Sequence, residues 1–303
     1  MMVFIPYGPH VFAVVPHKIM PLGDSITVGY GATNQFTTVG GLGYRMYIEN
    51  SLLDSGILYD FIGSSEPKGG NLRNILSDGQ IGPMFDQDNN GFSGRGVDYF
   101  LENISVYLQQ NPNPEYVLFL LGVNDAAIPI SQLAVKYNQL WDKILQESPT
   151  SYIIVSAISP NKYYPSFQSD FNQMLQTEVT KRIVSKQPFS YVNPQVTVDE
   201  MYDMGHPNDT GHAKIGNTFS KELLRLIPIP PTSTPISVPT PTDTVIVKKG
   251  DANADGYING LDYVIWLNHY GIATNSGASV GDFNGDGSVN GVDYVTWLIN
   301  YGR

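Results

Sequence analysis

The stretch Lys18-Ile19-Met20-Pro21-Leu22-Gly23-Asp24-Ser25-Ile26-Thr27 decides how this chain is read. Lys18–Leu22 is a short apolar run suited to a buried strand, and Gly23-Asp24-Ser25-Ile26 is a turn that leaves a serine at its end. Three more runs follow in order: Ser93-Gly94, Gly122-Val123-Asn124-Asp125 and Asp203-Met204-Gly205-His206-Pro207. Together they hold a nucleophile, candidate oxyanion donors, a base and an orienting carboxylate, the components of acyl transfer through an activated serine.

Strand-like runs at Lys18–Leu22, Tyr59–Gly63, Tyr116–Leu121, Tyr152–Ile158 and Tyr191–Val198 alternate with amphipathic stretches. The latter lie near Gly43–Leu53, Val97–Gln110, Ser131–Gln146, Phe167–Lys186 and Asp209–Leu226. Such alternation predicts a parallel sheet with helices on both faces, and a site beyond the carboxyl ends of its strands. Ser25, Asn124 and His206 then share one rim.

Within this frame Ser25 is the candidate nucleophile, His206 its base and Asp203 the group that orients the ring. Pro207 disfavours helical geometry at His206, which predicts a loop ahead of the last helix. The N–H groups of Ser25 and Gly94 and the Asn124 amide are the candidate oxyanion donors, with Gly91 an alternative to Gly94. Each piece has a plainer reading: Gly-Asp-Ser as an ordinary turn, Asn124-Asp125 as a turn cap, Gly94 as a bend. Of the five histidines, His10 and His17 precede the serine, His269 lies in the tail, and His212 reads as a surface or packing residue.

These blocks, in this order, resemble the SGNH or GDSL-type hydrolases over about residues 17–227. The resemblance implies a flavodoxin-like three-layer α/β/α fold and ester hydrolysis by a Ser25-His206-Asp203 triad. Lys18–Thr27 together with Gly91-Phe92-Ser93-Gly94 is most similar to carbohydrate esterase family 3, the acetyl xylan esterases. Arg95 stands where those enzymes often carry a small or aromatic residue. Ser64–Asn90 is a long Gly- and Asp-rich insertion, read as a lid or cleft wall, and Tyr163 and Tyr164 are candidates to stack on a sugar.

Composition changes at Pro228. Pro228–Val247 carries six prolines among Thr and Ser in 20 residues, an extended linker of roughly 60 Å at about 3.1 Å per residue. Beyond it, residues 250–271 and 281–302 repeat at an offset of 31 with 14 of 22 positions identical. Asp251, Asn253, Asp255, the Tyr257 carbonyl, Asn259 and Asp262 occupy EF-hand loop positions 1, 3, 5, 7, 9 and 12. Asp282, Asn284, Asp286, the Ser288 carbonyl, Asn290 and Asp293 repeat the pattern. All six acidic residues after Lys248 fall at positions 1, 5 or 12, which predicts two structural Ca²⁺ sites. A duplicated loop-helix unit behind a Pro/Thr linker resembles the dockerin module, and the resemblance implies a cohesin-type protein partner. The alternative is a calcium-stabilised cap without one.

The domains expected are thus a catalytic domain over 1–227, a linker over 228–247 and a calcium module over 248–303. A formal charge of −11 without Lys/Arg clusters excludes a nucleic-acid role. Zero cysteines exclude disulfides and thiolate sites, and no run approaches the ~20 apolar residues of a membrane span. Met1–Val15 lacks a basic start and is broken by Pro6 and Pro9, so it does not read as an intact signal peptide. The expectation is an extracellular carbohydrate esterase acting on acyl, in particular acetyl, esters of a polysaccharide such as xylan, with no cofactor in catalysis. A broad short-chain or lipolytic esterase is the second reading, and a binding or scaffold protein on an inactive hydrolase fold the third.

Overall fold

The computed structural model describes residues 15–32, 42–65, 73–75, 81–228, 248–254 and 256–302. Most of Met1–Val15, much of the Ser64–Asn90 insertion, nearly all of the linker, and Asp255 lie outside the described residues. The chain forms two compact units, one on Met1–Gln80 with Met84–Ile229 and one on Pro230–Arg303 with the short piece Ile81–Pro83.

Ahead of the linker the elements run β1 (His17–Gly23), α1 (Ser25–Val28), α2 (Gly43–Asp54), β2 (Tyr59–Phe61), β3 (Arg73–Ile75), β4 (Ile81–Met84), β5 (Asn90–Gly91) and α3 (Val97–Gln110). They continue as β6 (Tyr116–Leu120), α4 (Ile130–Glu147), β7 (Tyr152–Ser156), α5 (Pro165–Val184), β8 (Phe189–Val192) and α6 (Asp209–Leu226). The main sheet has the order β2-β1-β6-β7-β8, with every pairing parallel, while β3 and β4 pair apart from it. This is the doubly wound order in which the strand sequence reverses beside β1 and opens a crevice there. Helix α2 packs on α6, and α3, α4 and α5 pack in succession, giving the expected three layers. The middle strands β6 and β7 are almost wholly buried, as strands covered on both faces must be.

Two edge strands share β1. His17–Ile19 pair with β2, and Leu22–Gly23 pair with β5. Pro21 sits between them in a central strand, where a missing N–H would ordinarily cost a ladder bond. Odd-numbered residues of β1 turn their polar groups toward this edge: His17 N–H donates to Leu58 O, and the carbonyls of Ile19 and Gly23 accept from Ile62 and Phe92. The donor Pro21 lacks therefore falls in the gap after β2 and before β5, where neither strand pairs with residue 21. Between those strands the Ser64–Asn90 excursion leaves and returns at one place. Ser65 N–H donates to Asn89 O (2.9 Å), and Ser65 Oγ donates to Gly91 O (2.6 Å).

The last strand departs from expectation. It spans Phe189–Val192, not Tyr191–Val198, because the chain turns at Asn193-Pro194 and Gln195 takes φ 51°. A capping-box 3₁₀ turn at Val198–Glu200 follows.

In the second unit α7 (Gly260–Asn268) and α8 (Gly291–Asn300) each follow one loop, and Asn259 and Asn290 cap them through complete capping boxes with Asp262 and Asp293. Ala252, Ile258, Trp266, Phe283, Val289 and Trp297 form a core of three residue pairs related by the repeat. The indoles reach across it reciprocally: Trp266 Nε1 donates to Asn290 O and Trp297 Nε1 to Asn259 O, both at 2.9 Å.

Candidate active site

Ser25 is the first residue of the helical turn α1, directly beyond β1. Asp24 caps that turn, accepting the N–H of Ile26 at 2.9 Å. The turn holds Ser25 nearly buried and leaves Oγ 2.9 Å from His206 Nε2. His206 Nδ1 lies 2.9 and 3.0 Å from the two Asp203 oxygens. The Asp203 carboxylate also accepts the N–H groups of Gly205 and His206, each at 2.8 Å, so a single carboxylate shapes the loop and orients the ring. Burial pushes the Asp203 carboxyl up, but these N–H groups and His206 outweigh it and hold the group below its ordinary value. Met201 bridges Pro207, and Tyr202 N–H donates to His206 O, which closes the loop that Pro207 predicts. Tyr30, placed by α1, packs on the imidazole at 5.5 Å between ring centroids, a contact with no sequence signal.

The oxyanion candidates sit on neighbouring loops. Gly91 is excluded, because its N–H donates to Asn89 Oδ1 at 2.8 Å. Gly94 has φ 73° and, among the described residues, nothing within 4 Å of where a Cβ would stand. The Asn124 amide donates to Arg95 O at 3.0 Å through one of its two hydrogens, leaving the other for a ligand.

Asp125 has a part that the sequence reading gave only to a turn cap. The N-terminus of α3 has no side-chain cap of its own. Asp125, buried, accepts the Val97 N–H at 3.0 Å and the Tyr137 hydroxyl at 2.8 Å, so it caps α3 from a different loop. Asn124 and Asp125 thereby clamp the Ser93–Val97 turn against β6. Asn161 Nδ2 donates to Val123 O at 3.3 Å, and Lys162 N–H donates to Met204 O at 2.8 Å. The four loops lock into one rim.

Burial, opposed by the Ile26 N–H and reinforced by the charge of Asp125, pushes the Asp24 carboxyl up to about 7. His212 is fully buried, its Nε2–H donates to Tyr30 O (2.8 Å), and burial pushes it down to about 4. It is a packing residue. Tyr163 and Tyr164 are 68% and 52% exposed, beside the loop that carries Met204. Chemically, a serine hydroxyl bonded to an imidazole that is itself bonded to a carboxylate can lose its proton as it attacks a carbonyl carbon.

In the tail, Asp251, Asp262, Asp282 and Asp293 are buried, and none makes an ion pair among the described residues. Asp251 Oδ1 is buried without a hydrogen-bond partner. Asp262 accepts from Ala252 and Asn259, and Asp293 from Asn284 and Asn290. Asp282 accepts from Gly285, Asp286 and Gly287. Asp286 instead bonds Asn284 and the Ser288 N–H. No three acidic or histidine side chains form a metal-holding group among the described residues. An uncompensated buried carboxylate with an orphaned oxygen is costly without a cation, and the oxygen-only donor set suits a hard ion such as Ca²⁺.

Residues 22–214 match the sequence model of the GDSL-like Lipase/Acylhydrolase family, and residues 249–301 match that of the dockerin type I domain, a calcium-binding module. A protein of Acetivibrio thermocellus named "Putative endoglucanase X" is 27% identical over 169 residues, 53% of this chain and 74% of that one. The structure of a carbohydrate esterase family 3 protein from Talaromyces cellulolyticus is 24% identical, covers 69% of this chain and 97% of its own, and superimposes with a TM-score of 0.56. A family 3 carbohydrate esterase from Clostridium thermocellum is 24% identical over 70% of this chain and 97% of its own, at TM-score 0.56. At these identities the structural likeness carries the fold, and the family match spans most of the parallel-sheet unit. The chain belongs to the GDSL-like lipase/acylhydrolase family, whose members hydrolyse carboxylic esters.

Proposed function

We propose that this protein is a serine carbohydrate esterase that removes acyl groups, acetyl above all, from a polysaccharide such as xylan. The observation that carries the reading is the relay Ser25 Oγ–His206 Nε2 at 2.9 Å and His206 Nδ1–Asp203 at 2.9 Å. Ser25 Oγ attacks the ester carbonyl carbon while His206 Nε2 accepts its proton. The oxyanion is received by the N–H groups of Ser25 and Gly94 and by the second hydrogen of the Asn124 amide. His206 then gives the proton to the departing sugar oxygen, leaving Ser25 acylated. Water, deprotonated by His206, attacks the acyl-enzyme and releases the carboxylic acid. Asp203 keeps the ring in one tautomer and stabilises its cation throughout.

The choice of acetyl and sugar is supported by the folds it resembles, which include an acetyl esterase solved with acetate at TM-score 0.57. It is supported also by the exposed tyrosines beside the rim. Residues 1–227 would then be the catalytic domain, joined by the 228–247 linker to the dockerin module at 248–303. Two Ca²⁺ ions would be held by Asp251, Asn253, Asp255, Tyr257 O, Asn259 and Asp262, and by Asp282, Asn284, Asp286, Ser288 O, Asn290 and Asp293. Bound there, the ions would supply folding energy to the two loops. The module fits a cohesin-type partner and an extracellular setting; no helix among the described residues is long and apolar enough to cross a membrane.

The test joins fluorophosphonate labelling of wild type and Ser25→Ala with acetate release from acetylated xylan and hydrolysis of acyl esters of increasing length. Labelling confined to the wild type and a preference for acetyl are expected. Labelling that survives Ser25→Ala would overturn the nucleophile, and dominance of long acyl chains would favour the lipolytic reading.

A further inference from the structure

The acidic chain keeps its unpaired cations in a telling place. Among the described residues of the first unit, the side chains of Arg95, Lys162, Lys186 and Lys221 make no ion pair or hydrogen bond. Lys186 precedes β8, at the amino ends of the strands, and Lys221 lies in the second half of α6. Arg95 and Lys162 are different: both follow strand ends on the rim that carries Ser25.

Arg95 is exposed and adjoins Gly94, and its carbonyl is fixed by Asn124. Its guanidinium lies 4.9 Å from the centre of the Tyr99 ring. Stacking of this kind orders the planar group and leaves its N–H edges outward, the arrangement that receives a carboxylate in a bidentate pair. The nearest acid along α3, Asp98, is already paired with Lys136. Lys162 lies on the loop after β7, where its N–H holds Met204 O in the Asp203–His206 loop. Exposed Tyr163, Tyr164 and Tyr202 surround that junction. The loops bearing the two cations leave β5 and β7, three strand positions apart across β1 and β6. At roughly 4.8 Å per strand that is about 14 Å, with Ser25 between. In a protein of net charge −11, two free cations on either side of the nucleophile favour an anion on the substrate.

We propose that Arg95 and Lys162 form a subsite for carboxylates, so that the preferred substrate is an acylated polysaccharide bearing uronic-acid groups. This rests on the esterase reading above and sharpens it to an acidic glycan.

The test uses the full chain with calcium and one acetylated, uronic-acid-bearing xylan, in its native form and with its carboxyl groups reduced to alcohols. The readout is the ratio of kcat/KM between the two polymers for wild type, Arg95→Gln, Lys162→Gln and the double variant; 4-nitrophenyl acetate serves as a neutral reference for the wild type. Wild type should favour the native polymer by roughly 2- to 30-fold, the range of two exposed ion pairs. That preference should shrink in ~0.5 M salt and fall to about 1 in the double variant. A wild-type ratio near 1, or a ratio unchanged in the double variant, overturns the subsite while leaving the esterase reading intact. Turnover of the small ester with no release from either polymer overturns the subsite too. Failure to cleave 4-nitrophenyl acetate defeats the esterase reading, and the subsite with it.

Discussion

Asp203 does two jobs with one carboxylate, turning the loop through the N–H groups of Gly205 and His206 and facing the imidazole. Asp203→Asn keeps the loop acceptor but puts an amide donor within reach of Nδ1, which favours the wrong tautomer. The expected outcome is a kcat on an acetyl ester lower by roughly 10²–10⁴-fold with the fold retained, checked by steady-state kinetics and circular dichroism. Asn124→Ala removes one oxyanion donor and should lower kcat by about 10²–10³-fold with little change in KM; an unchanged kcat would remove Asn124 from the site. Ser25, Asn124, Asp203 and His206 were legible because each lies in a short motif whose chemistry is local. Asp125 was not, since its task is to cap a helix that starts 28 residues earlier. Such a long-range role leaves no periodic mark in the chain. Tyr30 was invisible for the same reason.

The strand and helix alternation was legible for a physical reason. Parallel strands buried on both faces read as continuous apolar runs, and α3, α4 and α6 carry a 3.6-residue apolar stripe, which α2 blurs by burying Arg45 and Glu49. What escaped was brief or irregular: the two-residue β5, the one-turn α1, and the early end of β8 at Asn193-Pro194. Yet β5 and α1 are the pieces that carry Gly94 and Ser25 to their places. The clamp between α3 and the loop after β6 gives a test at this scale. A Cβ on Gly96 would stand 2.0 Å from Asp125 Oδ1, and Asp125 is held from the other side by Tyr137. Gly96→Ala should therefore destabilise the protein by about 1–3 kcal/mol in urea unfolding and lower kcat as the Gly94 turn shifts. A variant as stable and active as wild type would show that the turn needs no such clamp.

Taken as a molecule, the first unit stores protons. Burial, with the charge of Asp86 adding to it, pushes Glu49 up to about 8, and Asp24 reaches about 7. Each binds its proton more tightly folded than unfolded, so each favours the fold at low pH and loses that contribution as pH rises from its unfolded value through its folded one. His212 acts oppositely: held near 4, it binds its proton less tightly folded, and its contribution is complete above its unfolded value of about 6.5. Above that pH the two carboxyls remain, and the unfolding midpoint should fall between pH 6.5 and 8 at constant calcium, as read by calorimetry. Glu49→Gln should flatten much of that fall; a rising profile in wild type would contradict the assignment. Calcium removal tests the other unit. A chelator should change the fluorescence of Trp266 and Trp297 while leaving hydrolysis of a small acyl ester unchanged, because the rim that carries Ser25 shares no residue with those loops. The shared edge of β1 has one more consequence. Ser65 is bonded to Asn89 and Gly91 where the 64–90 excursion both leaves and rejoins the sheet, and lengthening a loop whose ends are already joined costs little entropy. Insertions or deletions between residues 65 and 89 should therefore leave the sheet and the Ser25–His206 pair as they are, so that chain length is free to vary there at small cost in stability.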